Sequence, residues 1–389
     1  MALVGCGGMG MRHALGYAAL ERAGASPARL VAVCDPDGSR TAAVIRAFGE
    51  ACGRRPVALA GLEAALAHRE VDAVDLVVPT RFHHTQALAA LAAGRHVLVE
   101  KPFAITLRAG LAALEAAERA RLTLAVAENY RRVPTHRALR ALVQAGVIGK
   151  PYVVSVHTVQ QAAATGATAG WYWDREVVGS LPNLEFAVHE ADLLVHLLGE
   201  VEEVTALTGR FESGTDDAGL ALLRFAQGPL GQLLVLTAGH GGETGGRLLV
   251  GSRGSVDSRR WEGWEGGEVR VDGRAPVTSE EWTRRWLDEL PEPERRRLLP
   301  RGAWDESNLT VDIRDPLRYG IAIELHDFAS AIASGRAPEV DGEAGLRALA
   351  VCLALLESAH AHAPVAVADV LSGAVRAWQS DLDAGLGLR

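Results

Sequence analysis

Three glycines open the chain at a spacing that has a chemical use. Gly5, Gly7 and Gly10 form G-x-G-x-x-G within Met1-Ala-Leu-Val-Gly-Cys-Gly-Gly-Met-Gly10, directly after a short apolar run. In such a set the first glycine allows a tight strand-to-helix turn and the second lets a pyrophosphate approach the backbone. The third lets the helix pack closely on the strand. Gly8 and Met9 fall between the second and third, where the unpaired N–H groups of the starting helix face the phosphates. A second apolar run, Leu30–Cys34, ends in Asp35. A carboxylate there hydrogen-bonds ribose hydroxyls and repels a 2′-phosphate. Arg40, close behind it, could soften that repulsion. The expected cofactor is NAD, with NADP possible.

Two further groups bear on proton transfer. Lys101 follows the run His96–Val99 and Glu100; a desolvated lysine can take up a hydroxyl proton as the neutral amine or, as the ammonium, stabilise a developing alkoxide. Glu185, His189, Asp192 and His196 are spaced by 4, 3 and 4 residues, which places them on one helix face. A neutral imidazole on that face can accept a substrate proton. The same stripe could instead bind a divalent metal if other segments completed the ligand sphere. A hydrogen-bonded cluster is the preferred reading, and no metal is assigned. Trp171, with Tyr172 and Trp173, lies in a loop before this helix, where it could wall a sugar ring or serve only packing.

The elements that must position these residues follow from hydrophobic periodicity. Up to about Ala127, nearly continuous apolar runs (Met1–Val4, Leu30–Cys34, Val57–Leu59, Val74–Val78, His96–Val99, Leu122–Ala127) alternate with Ala- and Leu-rich helices (Met11–Arg22, Ser39–Ala51, Leu62–His68, His83–Ala93, Leu107–Ala120). This predicts a doubly wound parallel sheet with strands buried on both faces. Ligands bind such sheets at the carboxyl ends of the strands, so Gly5–Gly10, Asp35, Pro79–His83, Glu100–Pro102 and Glu128–Arg131 should line one edge. After Pro151 the runs shorten, alternate and are broken by glycine, which predicts a largely antiparallel sheet, interrupted by one helix at about Leu184–Leu198. Residues 277–304 read as an inserted Trp-containing helical excursion beginning at Ser279 as an N-cap. Two helices, Ile321–Ala333 and Glu343–Ala361, close the chain. The expected domains are 1–127, binding the cofactor, and 128–389, binding substrate and mediating oligomerisation.

With 389 residues there is length for two such domains. A net charge of −8 without a basic block leaves no electrostatic footprint for nucleic acid or anionic lipid. No apolar run is judged long enough to span a bilayer. The four cysteines lack paired spacing and read as buried reduced thiols. With a strand starting at Met1, no secretory signal is expected, and the location expected is cytoplasmic.

Taken together, the glycine turn, Asp35 and Val97-Leu-Val-Glu-Lys-Pro102 resemble the glucose–fructose oxidoreductase/inositol dehydrogenase (Gfo/Idh/MocA) family. So do Val78-Pro-Thr-Arg-Phe-His83, Asn129-Tyr-Arg131, Gly146-Val-Ile-Gly149 and Gly342-Glu-Ala-Gly-Leu-Arg347. The resemblance covers the chain apart from the Trp-containing excursion. It implies a Rossmann domain followed by an α/β domain with a large open sheet, joined as homodimers or homotetramers through that sheet. It also implies a nicotinamide cofactor and a sugar, cyclitol or related polyol substrate. Lys101 would be the family's active-site lysine, held by Glu100, while Thr80, His83, Glu100 and Lys101 would contact the cofactor. Arg131 and Asp192 would face the substrate.

One departure stands out: the family pattern Asp-x-Gly-x-His-x-x-Asp is here Glu185-Phe-Ala-Val-His-Glu-Ala-Asp192. His189 and Asp192 keep their places, and Glu185 would take the part of the family's first Asp. The expected function is an NAD(P)-dependent dehydrogenase oxidising a secondary hydroxyl, with Lys101 and His189 handling the proton. Alternatives are a redox-neutral glycosidase or eliminase that recycles its NAD, a metal-assisted enzyme, or a non-catalytic cofactor-binding regulator. The retained Lys101 and His189 argue against the last.

Overall fold

Strands buried on both faces must be apolar throughout, and the short apolar runs of the first 127 residues do form six parallel strands. A computed structural model describes residues 1–162, 170–258 and 266–388. They divide into one unit of residues 1–104, 110–132 and 291–345 and another of 105–109, 133–290 and 346–389.

In the first unit the strands are β1 (Ala2–Val4), β2 (Ala32–Cys34), β3 (Val57–Leu59), β4 (Ala73–Leu76), β5 (His96–Glu100) and β6 (Leu124–Ala127). Their order is β3-β2-β1-β4-β5-β6. Chain order reverses at β1, so a crevice opens between the carboxyl ends of β1 and β4, the place where open α/β sheets take ligands. β3 departs from expectation: it is the edge strand and largely exposed. Helices α1 (Gly8–Arg22), α2 (Gly38–Cys52), α3 (Leu62–Ala67), α4 (His83–Ala92) and α5 (Leu107–Ala120) alternate with the strands. α1 begins at Gly8, ahead of the Met11 expected from periodicity alone, because the glycine turn is itself the helix start.

The second unit is built on a nine-stranded sheet among the described residues, in the order β14-β13-β12-β11-β7-β10-β9-β8-β15. The strands are β7 (Pro151–Val159), β8 (Val201–Gly209), β9 (Ala218–Phe225), β10 (Leu230–Leu236), β11 (Thr244–Gly251), β12 (Gly254–Ser258), β13 (Glu268–Val271), β14 (Val277–Thr278) and β15 (Val365–Ala366). Neighbours are antiparallel except β7 and β10, which pair in parallel. The short run Ser255–Arg260 predicts a strand, whose last two residues lie outside the described residues. α6 (Pro134–Gln144), which the periodicity reading passed over, carries its proline at the start, where a missing N–H costs nothing.

The expected helix Leu184–Leu198 is not uniform. It starts in a wide turn, Leu181–Phe186, in which the Glu185 N–H donates to the Ser180 carbonyl (3.2 Å) five residues back, and becomes regular only in α7 (Ala187–Leu198). The excursion at 277–304 is divided between the two units. α8 (Ser279–Glu289) is capped by Thr278, not Ser279: the Thr278 hydroxyl accepts the Glu281 N–H at 3.0 Å. α9 (Glu292–Leu298) follows in the first unit, with α10 (Ile321–Ser334).

α11 (Gly342–Ala361) also corrects the sequence reading. At 20 residues it is long and apolar enough to cross a bilayer, but 78% of its most apolar 18-residue window is buried inside the protein, as in a core helix. Of the cysteines, Cys6, Cys34 and Cys352 are buried and Cys52 is only half-buried, and none of the four is in a disulfide.

Candidate active site

Each glycine of the opening turn has a separate structural reason. Gly5 has φ +100°, and a Cβ there would lie 2.0 Å from the Val77 carbonyl oxygen, so β1 and the end of β4 can approach only with glycine. A Cβ on Gly10 would lie 2.0 Å from the Gly5 carbonyl oxygen, which is the close helix–strand packing expected of the third glycine. Around Gly7 and Gly8 a Cβ would meet nothing within 4 Å. That open side of the turn lies at the start of α1, where no side chain caps the helix and the first turn carries no acidic residue. The local field there favours an anion. The residues fit the pyrophosphate of a dinucleotide.

Asp35 is held ready by two backbone N–H donors, Cys6 to Oδ2 (2.8 Å) and Asp37 to Oδ1 (2.8 Å). It is half-buried at the end of β2. Arg40 is exposed and reaches the Asp37 carboxylate at 3.4 Å. The Cys6 thiol is pushed up to about 11 by burial and by Asp35, so it stays protonated and unreactive.

At the ends of β4 and β5, the expected cofactor contacts divide by their partners. Thr80 is buried. His83 is buried, with Nε2 2.8 Å from the Val78 carbonyl and Nδ1 2.9 Å from the Pro102 carbonyl. It ties the loop after β4 to the loop after β5, and burial lowers its pKa. Glu100 is buried; its Oε2 accepts the Lys101 N–H at 2.9 Å and its Oε1 lies 3.1 Å from His13 Nε2. Lys101 is half-buried, and its bond to Pro102 is cis. After β6, Glu128 Oε1 accepts the Tyr130 N–H at 2.9 Å, the Asn129 amide donates to the Tyr319 carbonyl, and Arg131 is buried.

Beneath this edge lies a charged cluster that sequence reasoning missed. His13 Nδ1 is 2.9 Å from Asp75 Oδ2, and the Tyr17 hydroxyl donates to the same oxygen at 3.2 Å. Glu324 of α10 approaches His13 Nε2 at 3.8 Å. Burial opposes charge on His13, but Asp75 and Glu100 outweigh it and hold the imidazole well above its ordinary pKa. Burial pushes Glu324 well up, against the pull of His13. Nearby, Arg132 is fully buried and pairs with Asp327 (2.9 Å) and Glu339 (3.4 Å).

In the second unit, Glu185, His189 and Asp192 are buried along the wide turn and α7, and His196 Nε2 contacts the Arg140 guanidinium at 3.0 Å. Arg247 of β11 pairs bidentately with Glu190, its Nε donating to Oε2 at 3.1 Å. This buried pair fixes α7 to the sheet, and it too escaped sequence reasoning. Among the described residues, no group of three or more His, Cys, Asp or Glu is arranged to hold a metal ion. Trp171 stacks on Tyr172 with ring centroids 3.9 Å apart and remains 38% exposed.

Comparison with known proteins gives a consistent result. Residues 1–128 match the model of an oxidoreductase family with an NAD-binding Rossmann fold, and residues 136–257 match a GFO/IDH/MocA C-terminal domain. An inositol 2-dehydrogenase of Saccharopolyspora erythraea is 30% identical over 306 residues, 74% of this chain and 84% of that protein. A 1,5-anhydro-D-fructose reductase of Ensifer adhaerens is 28% identical over 303 residues, 77% of this chain and 80% of that protein. The solved structure of a levoglucosan dehydrogenase with NADH and levoglucosan superposes with a TM-score of 0.78 at 24% identity, covering 94% of this chain and 98% of that one.

Proposed function

The chain belongs to the Gfo/Idh/MocA family of NAD-dependent oxidoreductases, and from that premise we propose that it oxidises a ring hydroxyl of a sugar, cyclitol or related polyol. The observation that carries this reading is the unobstructed glycine turn at the β1/β4 crevice, with Lys101 at the end of the next strand, β5. The named relatives act on inositol and an anhydro sugar, and the solved neighbour holds an anhydro sugar beside NADH. All three are compact, hydroxyl-rich rings.

When bound, NAD supplies the hydride acceptor. Gly5, Gly7, Gly8, Met9 and Gly10 would hold its pyrophosphate, and Asp35 its ribose hydroxyls, which disfavours NADP. Lys101 stabilises the developing alkoxide, and its N–H bond to Glu100 fixes the backbone from which the ammonium projects. His189 accepts the hydroxyl proton, with Glu185, four residues earlier in the wide turn, taking the part of the family's first Asp. Arg131, Asp192 and Trp171 bind the ring, Trp171 through its exposed aromatic face.

Two copies would associate through the open sheet of the second unit. There Leu207, Leu220, Leu222, Leu230 and Leu248 are exposed, and an exposed apolar face marks an interaction surface. Catalysis would take place in the cytoplasm. The functional test is a panel of hexoses, anhydro sugars and inositols with NAD and NADP side by side. NADH formation with at least one ring polyol supports the reading, and NADPH formation alone would overturn the role of Asp35.

A further inference from the structure

We propose that His13 is a positioning residue for Lys101, acting through the carboxylate of Glu100. The proposal rests on the reading that Lys101 acts on the reacting oxygen. His13 is 0% exposed and grips two strands at once: Asp75 of β4 at 2.9 Å and Glu100 of β5 at 3.1 Å. The second oxygen of Glu100 accepts the Lys101 N–H at 2.9 Å. A continuous chain of hydrogen bonds therefore runs from Asp75 through His13 and Glu100 to the backbone of Lys101.

The helix that carries His13 is also the helix whose start borders the pyrophosphate site. One rigid element thus sets both the cofactor's phosphates and the strand end that bears the lysine. An apolar core would be cheaper at this point, since burying charges carries a desolvation cost that pairing only partly offsets. The cluster retains it, with Asp75 Oδ1 and Glu324 Oε2 buried and lacking a hydrogen-bond partner. The groups facing His13 are Asp75 on β4, Glu100 on β5 and Glu324 on α10; Tyr17 on α1 acts on Asp75, and Arg132 and Glu128 act on Glu324. A buried polar network satisfied on the side of Glu100 and Lys101 rigidifies what it touches.

Two variants separate positioning from packing. His13→Gln keeps an amide donor near the position of Nε2 and can still reach Glu100. His13→Asn keeps one near Nδ1 and can still reach Asp75, but releases Glu100. The expected result is that His13→Asn loses about 10- to 100-fold in kcat, with its kcat–pH profile displaced and its NADH Kd little changed. His13→Gln should recover most of kcat and the wild-type profile, although both variants lower Tm. Equal kcat in the two variants, or kcat losses that simply follow Tm, would overturn the proposal. Lys101→Ala is run in parallel. If it stays active, the reading of Lys101 has failed. If it is inactive while His13→Asn turns over normally, only the role of His13 has failed.

Discussion

Gly7 and Gly10 stand three residues apart in one turn, yet the structure separates their roles into two measurable quantities. At Gly10 an added Cβ would lie 2.0 Å from the Gly5 carbonyl oxygen, about 1.4 Å short of ordinary contact. The obstacle is backbone, so α1 must shift away from the end of β1. Overpacking of this kind costs about 1–3 kcal/mol, and it moves the N–H groups that meet the phosphates. Gly10→Ala should therefore lower Tm and weaken NADH binding together. At Gly7, φ is −71° and a Cβ would meet no protein atom within 4 Å. Gly7→Ala should leave Tm unchanged. It should still raise the NADH Kd about 10- to 100-fold, equivalent to about 1.4–2.7 kcal/mol, because the methyl occupies the path of the pyrophosphate. Differential scanning fluorimetry without cofactor and titration calorimetry with NADH read the two effects independently. Wild-type NADH affinity in Gly7→Ala would refute the reasoning, since the open side of the turn would then not be where the phosphates pass.

Other expected outcomes follow from the same geometry. Asp35→Ser should weaken NAD use and improve NADP use, read as the ratio of kcat/KM for the two cofactors; a wild type that already prefers NADP would contradict the premise. Lys101→Ala should abolish turnover while NADH Kd stays within a few fold, measured by fluorescence titration. His189→Ala should lose about 10²–10⁴ in kcat, as for a general acid–base group; Glu185→Asp should stay substantially active and Glu185→Ala fall much further, with EDTA changing none of them. His13 and Glu324 both have folded-state pKa values above their ordinary ones. Each contributes stability in full below its ordinary pKa and loses it as pH rises from there through the folded value, so Tm should begin to fall above about 4.5 through Glu324 and fall more steeply above about 6.5, where His13 adds its share. Glu324→Gln should flatten that decline, and an unchanged slope would show that the proton resides elsewhere.

The legible parts of the site were those encoded within a few residues of one another. The glycine turn, Asp35 at a strand end and Glu100-Lys-Pro102 combine local spacing with strand periodicity, and the sheet places each at one edge. The buried cluster could not be read in that way. His13 meets Asp75 across 62 positions and Glu100 across 87, and only strand order brings them together. Asp75 even sits inside the apolar run of β4, where a pattern reading treats it as noise; a lone carboxylate in a strand buried on both faces was the available signal. Arg247 and Glu190, 57 positions apart, gave no local sign of their pairing. The wide turn at Leu181–Phe186 escaped because helical periodicity assumes one hydrogen-bond pattern throughout. α6 was legible in principle, since Pro134 precedes an apolar stripe of Ala138, Leu139 and Leu142.

The reaction proposed for this chain removes hydride from a ring carbinol carbon and passes it to NAD. The direct measurement incubates the enzyme with NAD and a ring polyol deuterated at its carbinol carbons, then examines both products by mass spectrometry. The expected result is NADH carrying one deuterium per turnover, with an equal amount of keto sugar. Conversion of the polyol to a rearranged or cleaved product with no net NADH would contradict the account and point to redox-neutral chemistry on a retained cofactor.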